Sequence, residues 1–229
     1  MSAARLVLLR HGRTASNAEN RFQGHLDVEL DDVGLAQAAV AAAYLGERLA
    51  DAAARGAVRV VSSDLSRARQ TAEPLAKALG VDLELDDALR ERDGGAWQGL
   101  LRDEIQSRFP DEYGRWMAGE DLIIGGGESL GQCWVRCEGG IRRHVEAMTG
   151  EADGGTLVVV SHGASMRGAM LRLLGLIGRG SSAEEVARDL ALYRTFDGFG
   201  NAHWAELGVR RSGWVLERFN VSAPDAPAS

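Results

Sequence analysis

Residues 6–12 read Leu6-Val7-Leu8-Leu9-Arg10-His11-Gly12, four apolar residues running straight into a basic pair and a glycine. The layout recurs twice. Val58-Arg59-Val60-Val61 leads into Ser62-Ser63-Asp64-Leu65-Ser66-Arg67, and Leu157-Val158-Val159-Val160 leads into Ser161-His162-Gly163. Short apolar runs rich in β-branched residues suit strands buried on both faces, as in a parallel sheet. A helix-like pattern follows each run. The first is an Ala-rich stretch over about 34–54, and the second spans 64–79, where Pro74 should kink or break it. The third, 164–174, carries Met166, Met170, Leu173 and Leu174 at helical spacing. Alternating strand and helix predicts a three-layer α/β/α architecture with a mostly parallel sheet.

Outside this frame, residues 82–89 read as a further strand and 128–148 as another helix. Trp204 to Leu207 and Trp214 to Phe219 suit an antiparallel pair. Residues 100–127 lack clean periodicity and carry Phe109, Tyr113 and Trp116, followed by Gly125-Gly126-Gly127. They read as an inserted helical lid whose aromatics pack the insertion itself. The triple glycine lacks the G-x-G-x-x-G spacing of a dinucleotide site. Residues 1–221 are expected to form a single domain, and 222–229 (SAPDAPAS) a disordered tail.

A chain of 229 residues with 45% hydrophobic composition can bury a full core. No apolar run reaches the roughly 18–20 residues of a membrane span, and the one at Leu6–Leu9 is too short for a signal-peptide core. A cytoplasmic protein without a membrane partner is expected. The formal charge of −7 argues against a nucleic-acid partner, which calls for a basic patch. Cys133 and Cys137 share a helix face without a second ligand pair nearby, so buried inert thiols are expected rather than a zinc site or disulfide. No metal or cofactor is expected, and the oligomeric state, monomer or homodimer, is open.

In an open α/β sheet, ligands bind beyond the carboxyl ends of the strands. The three strands run out into Arg10-His11-Gly12, Ser62 to Arg67, and Ser161-His162-Gly163, so two arginines and two histidines should meet at one rim. Arginine offers a permanently charged fork of donors matched to phosphate oxygens. A neutral imidazole is a competent nucleophile that forms covalent intermediates. Together they point to phosphoryl chemistry, provided that an acidic chain gathers its positive charge in one pocket.

Leu8-Leu9-Arg10-His11-Gly12-Arg13-Thr14 with Asn17 resembles the signature of the histidine phosphatase superfamily, the phosphoglycerate mutase-like proteins. The resemblance continues, in the family's order, through Ser62 to Ala72, Leu89-Arg90-Glu91 with Gly95, Trp97, Gln98 and Gly99, Gly127-Glu128-Ser129, and Val160 to Gly163. It implies His11 as the phosphorylated nucleophile, with Arg10, Arg67 and His162 holding phosphoryl oxygens. It also implies Asn17 on the transferring group, Gln23 and Gly24 at the substrate entrance, and Glu91 as the acid, then base. Such an acid has its own rationale, because an alkoxide leaves poorly without a proton.

Two positions depart from the pattern. Arg13 stands where the family usually has Glu or Gln, and it either adds a substrate-facing charge or points to solvent. Gln98 replaces an acidic residue. His144 and His203 read as structural, His25 lies close in sequence to the site, and Asn201 in Gly200-Asn201-Ala202 has an open role. Within the family, Gln23 to Leu30, Trp97 to Leu100 and Gly200 to Trp204 are similar to the actinobacterial glucosyl-3-phosphoglycerate phosphatases. A mutase needs extra cations for a second phosphate, whereas Arg102, Arg108 and Arg115 are scattered through a net acidic insertion. Hydrolysis of a small phosphomonoester is therefore expected ahead of mutase activity. A phospho-ligand binder without turnover is the reading from another class, and the complete set of reactive residues opposes it.

Overall fold

Why the three runs are apolar without alternation is answered by what covers them: helices lie on both faces of one six-stranded sheet. The computed structural model describes residues 5–148, 155–178, 182–210 and 213–227. In chain order the strands and helices are β1 (Arg5–Arg10), α1 (Ala15–Ala18), α2 (Asp32–Ala54), β2 (Val58–Ser62), α3 (Ser66–Leu79), β3 (Leu83–Leu85), α4 (Arg102–Arg108) and α5 (Pro110–Ala118). There follow α6 (Leu130–Ala147), β4 (Thr156–Ser161), α7 (Gly163–Leu173), α8 (Ala183–Thr195), β5 (Trp204–Arg210) and β6 (Gly213–Val221). The strand order is β3-β2-β4-β1-β5-β6. Pairings from β3 to β1 are parallel, and β5 and β6 join antiparallel, as expected for the two late strands.

Successive side chains of a strand point to opposite faces. On β1, Leu6 and Leu8 enter one core with Cys137 and Ile141 of α6 and Met166 and Met170 of α7. Val7 and Leu9 enter the other, with Leu45 of α2 and Leu75 of α3. β4 does the same with Leu157 and Val159 against Val158 and Val160. Three layers follow directly. Cys133 and Cys137 are free and buried, and burial pushes the Cys137 thiol up to about 12.

Three expectations are corrected, and one helix was not foreseen. Pro74 does not interrupt α3, which stays continuous because Ala68, Ala72, Leu75 and Ala76 bury one face along its length. Residues 82–89 are strand only at β3, and a 3₁₀ turn, Asp87–Leu89, replaces the rest after Asp86 accepts from the Ala88 amide. The tail is docked through residue 227: Ala223 is buried, and Gln37 Nε2 donates to the Pro227 carbonyl at 3.1 Å. Its last two residues lie outside the described ones. α8 had no counterpart in the sequence reading, although Ser182 and Glu185 form the capping box that opens it.

The insertion folds as α4 and α5 around Trp97, whose ring lies 5.7–6.5 Å from Phe109, Tyr113 and Trp116. Its aromatics pack the insertion, as expected. The triple glycine is structural, since a Cβ on Gly125 would come within 2.4 Å of the Gly94 carbonyl. Among the described residues, no helix is long and apolar enough to cross a membrane.

Candidate active site

In-register pairing of β1 with β4 sets Arg10 opposite Ser161, so His11 and His162 leave the sheet side by side. Beyond them opens a cavity of about 400 Å³. Arg10, His11, Asn17, Gln23, Gly24, Arg67 and Glu91 all line it. Arg21, Arg92, Arg102 and Arg167 line it as well, and among the described residues Glu91 is its one carboxylate. A chain of net charge −7 thus gathers six arginines around one cavity.

His11 is buried, and its Nδ1 lies 2.6 Å from the Gly12 carbonyl oxygen. A carbonyl only accepts, so Nδ1 carries the proton and Nε2 keeps its lone pair. Burial, reinforced by the charges of Arg67 and Arg10, holds the imidazole well below the usual 6.5. The ring is therefore neutral near pH 7. Glycine at position 12 is dictated by packing, because a Cβ there would meet the Gly34 carbonyl oxygen at 2.5 Å.

Arg67 is buried at the start of α3 and donates to the carbonyls of Gly24 and Leu26 at 2.8 Å each. Its Nε donates to His162 Nδ1 at 3.2 Å. Burial lowers its pKa to about 10, which leaves it a cation at neutral pH. Arg10 donates through Nη1 to the Phe199 carbonyl, while its buried Nε has no acceptor in the protein. A bound anion would satisfy such a donor, which is costly to leave unpaired.

His162 is fully buried and is not among the residues that line the cavity. Nδ1 accepts from Arg67, so the proton sits on Nε2, which donates to Ser63 Oγ at 2.9 Å. His162 braces Arg67. Arg13 does not line the cavity either: its partly buried side chain pairs through Nε with Asp31 at 2.8 Å. His25 packs behind the site, with Nε2 2.8 Å from the Glu91 carbonyl. His144 and His203 sit on Asp86 and Asn220.

Glu91 is held by backbone donors. One carboxylate oxygen accepts from the amides of Ser165 and Arg92, and the other from Ala164, at 2.9–3.0 Å. It thereby caps the first turn of α7, whose amides lack intrahelical partners. Gly24 has φ +54, and a Cβ there would lie 2.3 Å from Gln98 Oε1. Only glycine passes there without strain.

Four lining arginines were missed as cavity residues. Arg167 had a signal, since it falls three residues after Ala164 on one helix face. Arg21, Arg92 and Arg102 had none: loop geometry and the packing of the insertion bring them in. Arg102, for example, rests over the Trp116 ring at 5.8 Å.

Residues 6–222 match the model of the histidine phosphatase superfamily (branch 1). A bifunctional protein of Mycobacterium tuberculosis is 39% identical over 158 residues, which is 69% of this chain and 41% of that protein. The chain thus spans about two fifths of that relative. A glucosyl-3-phosphoglycerate phosphatase of the same organism is 33% identical over 238 residues, covering 97% of each chain. A solved structure of a mycobacterial glucosyl-3-phosphoglycerate phosphatase with VO3 superimposes with a TM-score of 0.79 at 32% identity, covering 96% of this chain and 100% of the other. The family match spans nearly all the described strands and helices, and the site geometry lies within it. This chain belongs to the histidine phosphatase superfamily, branch 1.

Proposed function

We propose that the protein is a metal-independent phosphomonoesterase working through a phosphohistidine on His11. The observation that carries this reading is a neutral imidazole with Nε2 unprotonated, set in a cavity walled by arginines. Nε2 attacks phosphorus, the bond from phosphorus to the ester oxygen breaks, and Glu91 delivers a proton to that oxygen. The positive charge that develops on the ring is stabilised through Nδ1–H by the Gly12 carbonyl. Arg10 and Arg67 stabilise the equatorial oxygens. Glu91, now a carboxylate, takes a proton from water, whose oxygen displaces His11 and releases inorganic phosphate.

The substrate we propose is a small phosphorylated metabolite, with glucosyl-3-phosphoglycerate first among candidates. Two things support it: the full-length similarity to phosphatases of that name, and the size of the site. A second cavity of about 200 Å³ shares Asn17, Arg21, Phe22 and Arg102 with the first, giving room for a leaving group larger than glycerate. A second reading, a phosphoglycerate mutase, draws on Arg102, which the insertion does contribute to the cavity despite its net acidity.

One screen tests both. Phosphate release is measured over phosphoglycerates, glucosyl-3-phosphoglycerate, other sugar phosphates and nucleotides, with and without a bisphosphate primer. Fastest release from the glucosylated substrate is the expected result. Interconversion of 2- and 3-phosphoglycerate faster than phosphate release would overturn hydrolysis as the main activity.

A further inference from the structure

Asn201 is buried in the turn before β5, far in sequence from the motifs around His11. Its Nδ2 lies 3.2 Å from the His11 carbonyl oxygen and 3.2 Å from Asn17 Oδ1. Asn17 Oδ1 also accepts from the Thr14 amide at 3.2 Å. The polarity of this chain of contacts is set by its backbone ends. A backbone N–H can only donate, so the Asn17 atom facing Thr14 is its oxygen. A carbonyl can only accept, so the Asn201 atom facing His11 is its nitrogen. With Oδ1 turned inward, Asn17 has its amide nitrogen left for the cavity that it lines. The same turn holds Ala202 at φ +55, and the Ala202 amide donates to the His11 carbonyl at 3.1 Å. Strain of this kind persists where the surroundings over-determine a conformation.

We infer that Asn201 is a positioning residue for the phosphoryl site: it turns the donor end of Asn17 toward the ligand, while the His11 carbonyl keeps a second donor in the Ala202 amide. This rests on the phosphohistidine reading, so its test has a readout that does not need turnover. A double-mutant cycle with Asn17→Ala and Asn201→Ala is read twice, by kcat/KM on p-nitrophenyl phosphate and by the Kd for inorganic phosphate. Asn201→Ala should lower kcat/KM about tenfold, as expected for a misplaced contact group. In the Asn17→Ala background the same change should cost less than about twofold on either readout, because coupled residues are non-additive. Asn201→Asp, which has similar volume but lacks the donor, carries the same cycle where the alanine variant does not fold. Multiplicative losses, or an Asn201 variant with wild-type kcat/KM and phosphate affinity, would overturn the assignment. Acid-labile labelling of His11, lost in His11→Ala, tests the phosphohistidine reading separately.

Discussion

The imidazoles of His11 and His162 stand 5.2 Å apart, centroid to centroid, with their planes tilted by 58°, and they carry their protons on opposite nitrogens. His11 is protonated on Nδ1 against Gly12, and His162 on Nε2 against Ser63. Each tautomer is set by a partner that can only accept or only donate: the Gly12 carbonyl for one ring, the Arg67 guanidinium for the other. His11 keeps the lone pair on Nε2, and His162 accepts from the arginine beside it through Nδ1.

Both rings sit well below 6.5, through burial first and the charge of Arg67 next. The neutral nucleophile should persist in acid, so the acidic limb of kcat/KM that reports His11 lies below pH 6.5. The stability consequence has a definite sign. Below about pH 6.5 the unfolded chain binds protons that the folded chain excludes, so stability is full above that pH and is lost as pH falls through it. The slope approaches about 1.4 kcal/mol per pH unit for each histidine. Urea unfolding at pH 7.5 and 5.5 checks this, and His162→Gln should show a shallower decline.

His11→Ala should abolish acid-labile labelling and reduce turnover by about 10³-fold or more, the scale for loss of a nucleophile. Wild-type hydrolysis of p-nitrophenyl phosphate should persist in EDTA. Activity that disappears on chelation and returns with a divalent metal would refute the proposed mechanism.

Glu91→Gln should slow hydrolysis of alkyl phosphates by about 10²-fold, within the range for a general acid, while phosphate affinity is retained. p-Nitrophenyl phosphate, whose leaving group needs less protonation, should suffer less in the phosphorylation step. Stability should drop by about 1 kcal/mol, since the glutamine NH₂ faces an α7 amide where an acceptor stood. Equal slowing with both substrates in single-turnover experiments would remove Glu91 from its acid role.

Gly24→Ala places a side chain at φ +54 and against Gln98 Oε1, on the residue whose carbonyl holds Arg67. A loss of about 1–3 kcal/mol is expected from strain and displacement. KM should rise as Arg67 loses its anchor. An unchanged unfolding midpoint with unchanged KM would show that the entrance loop moves aside freely.

Much of the fold was legible because the runs at Leu6, Val58 and Leu157 are apolar at every position or nearly so, which only a doubly covered strand requires. The cavity rim was legible for the same reason: strand ends were visible, and Arg10, His11 and Arg67 lie at or past them and line the cavity. The break weighed at Pro74 misled because local propensity was read without the buried face that holds α3 together. The tail misled because its Pro, Ala and Ser content was read as disorder, while Ala223 in fact joins the core cluster of Val7, Leu9 and Trp204. α8 went unread because its hydrophobic periodicity is weak, and only the Ser182–Glu185 cap announced it.

By itself, the sequence determined the layered architecture and the strand ends where Arg10, His11 and Arg67 gather, since these depend on residue type and on position along a strand. Only the tertiary structure decided which way each side chain turns. It set Arg13 on Asp31, His162 behind Arg67 and Asn201 behind Asn17, and it drew Arg21, Arg92, Arg102 and Arg167 into one cavity. The physical reason is that a hydrogen bond has direction and needs a partner within about 3 Å. That partner is supplied by residues tens or hundreds of positions away, which no local pattern records.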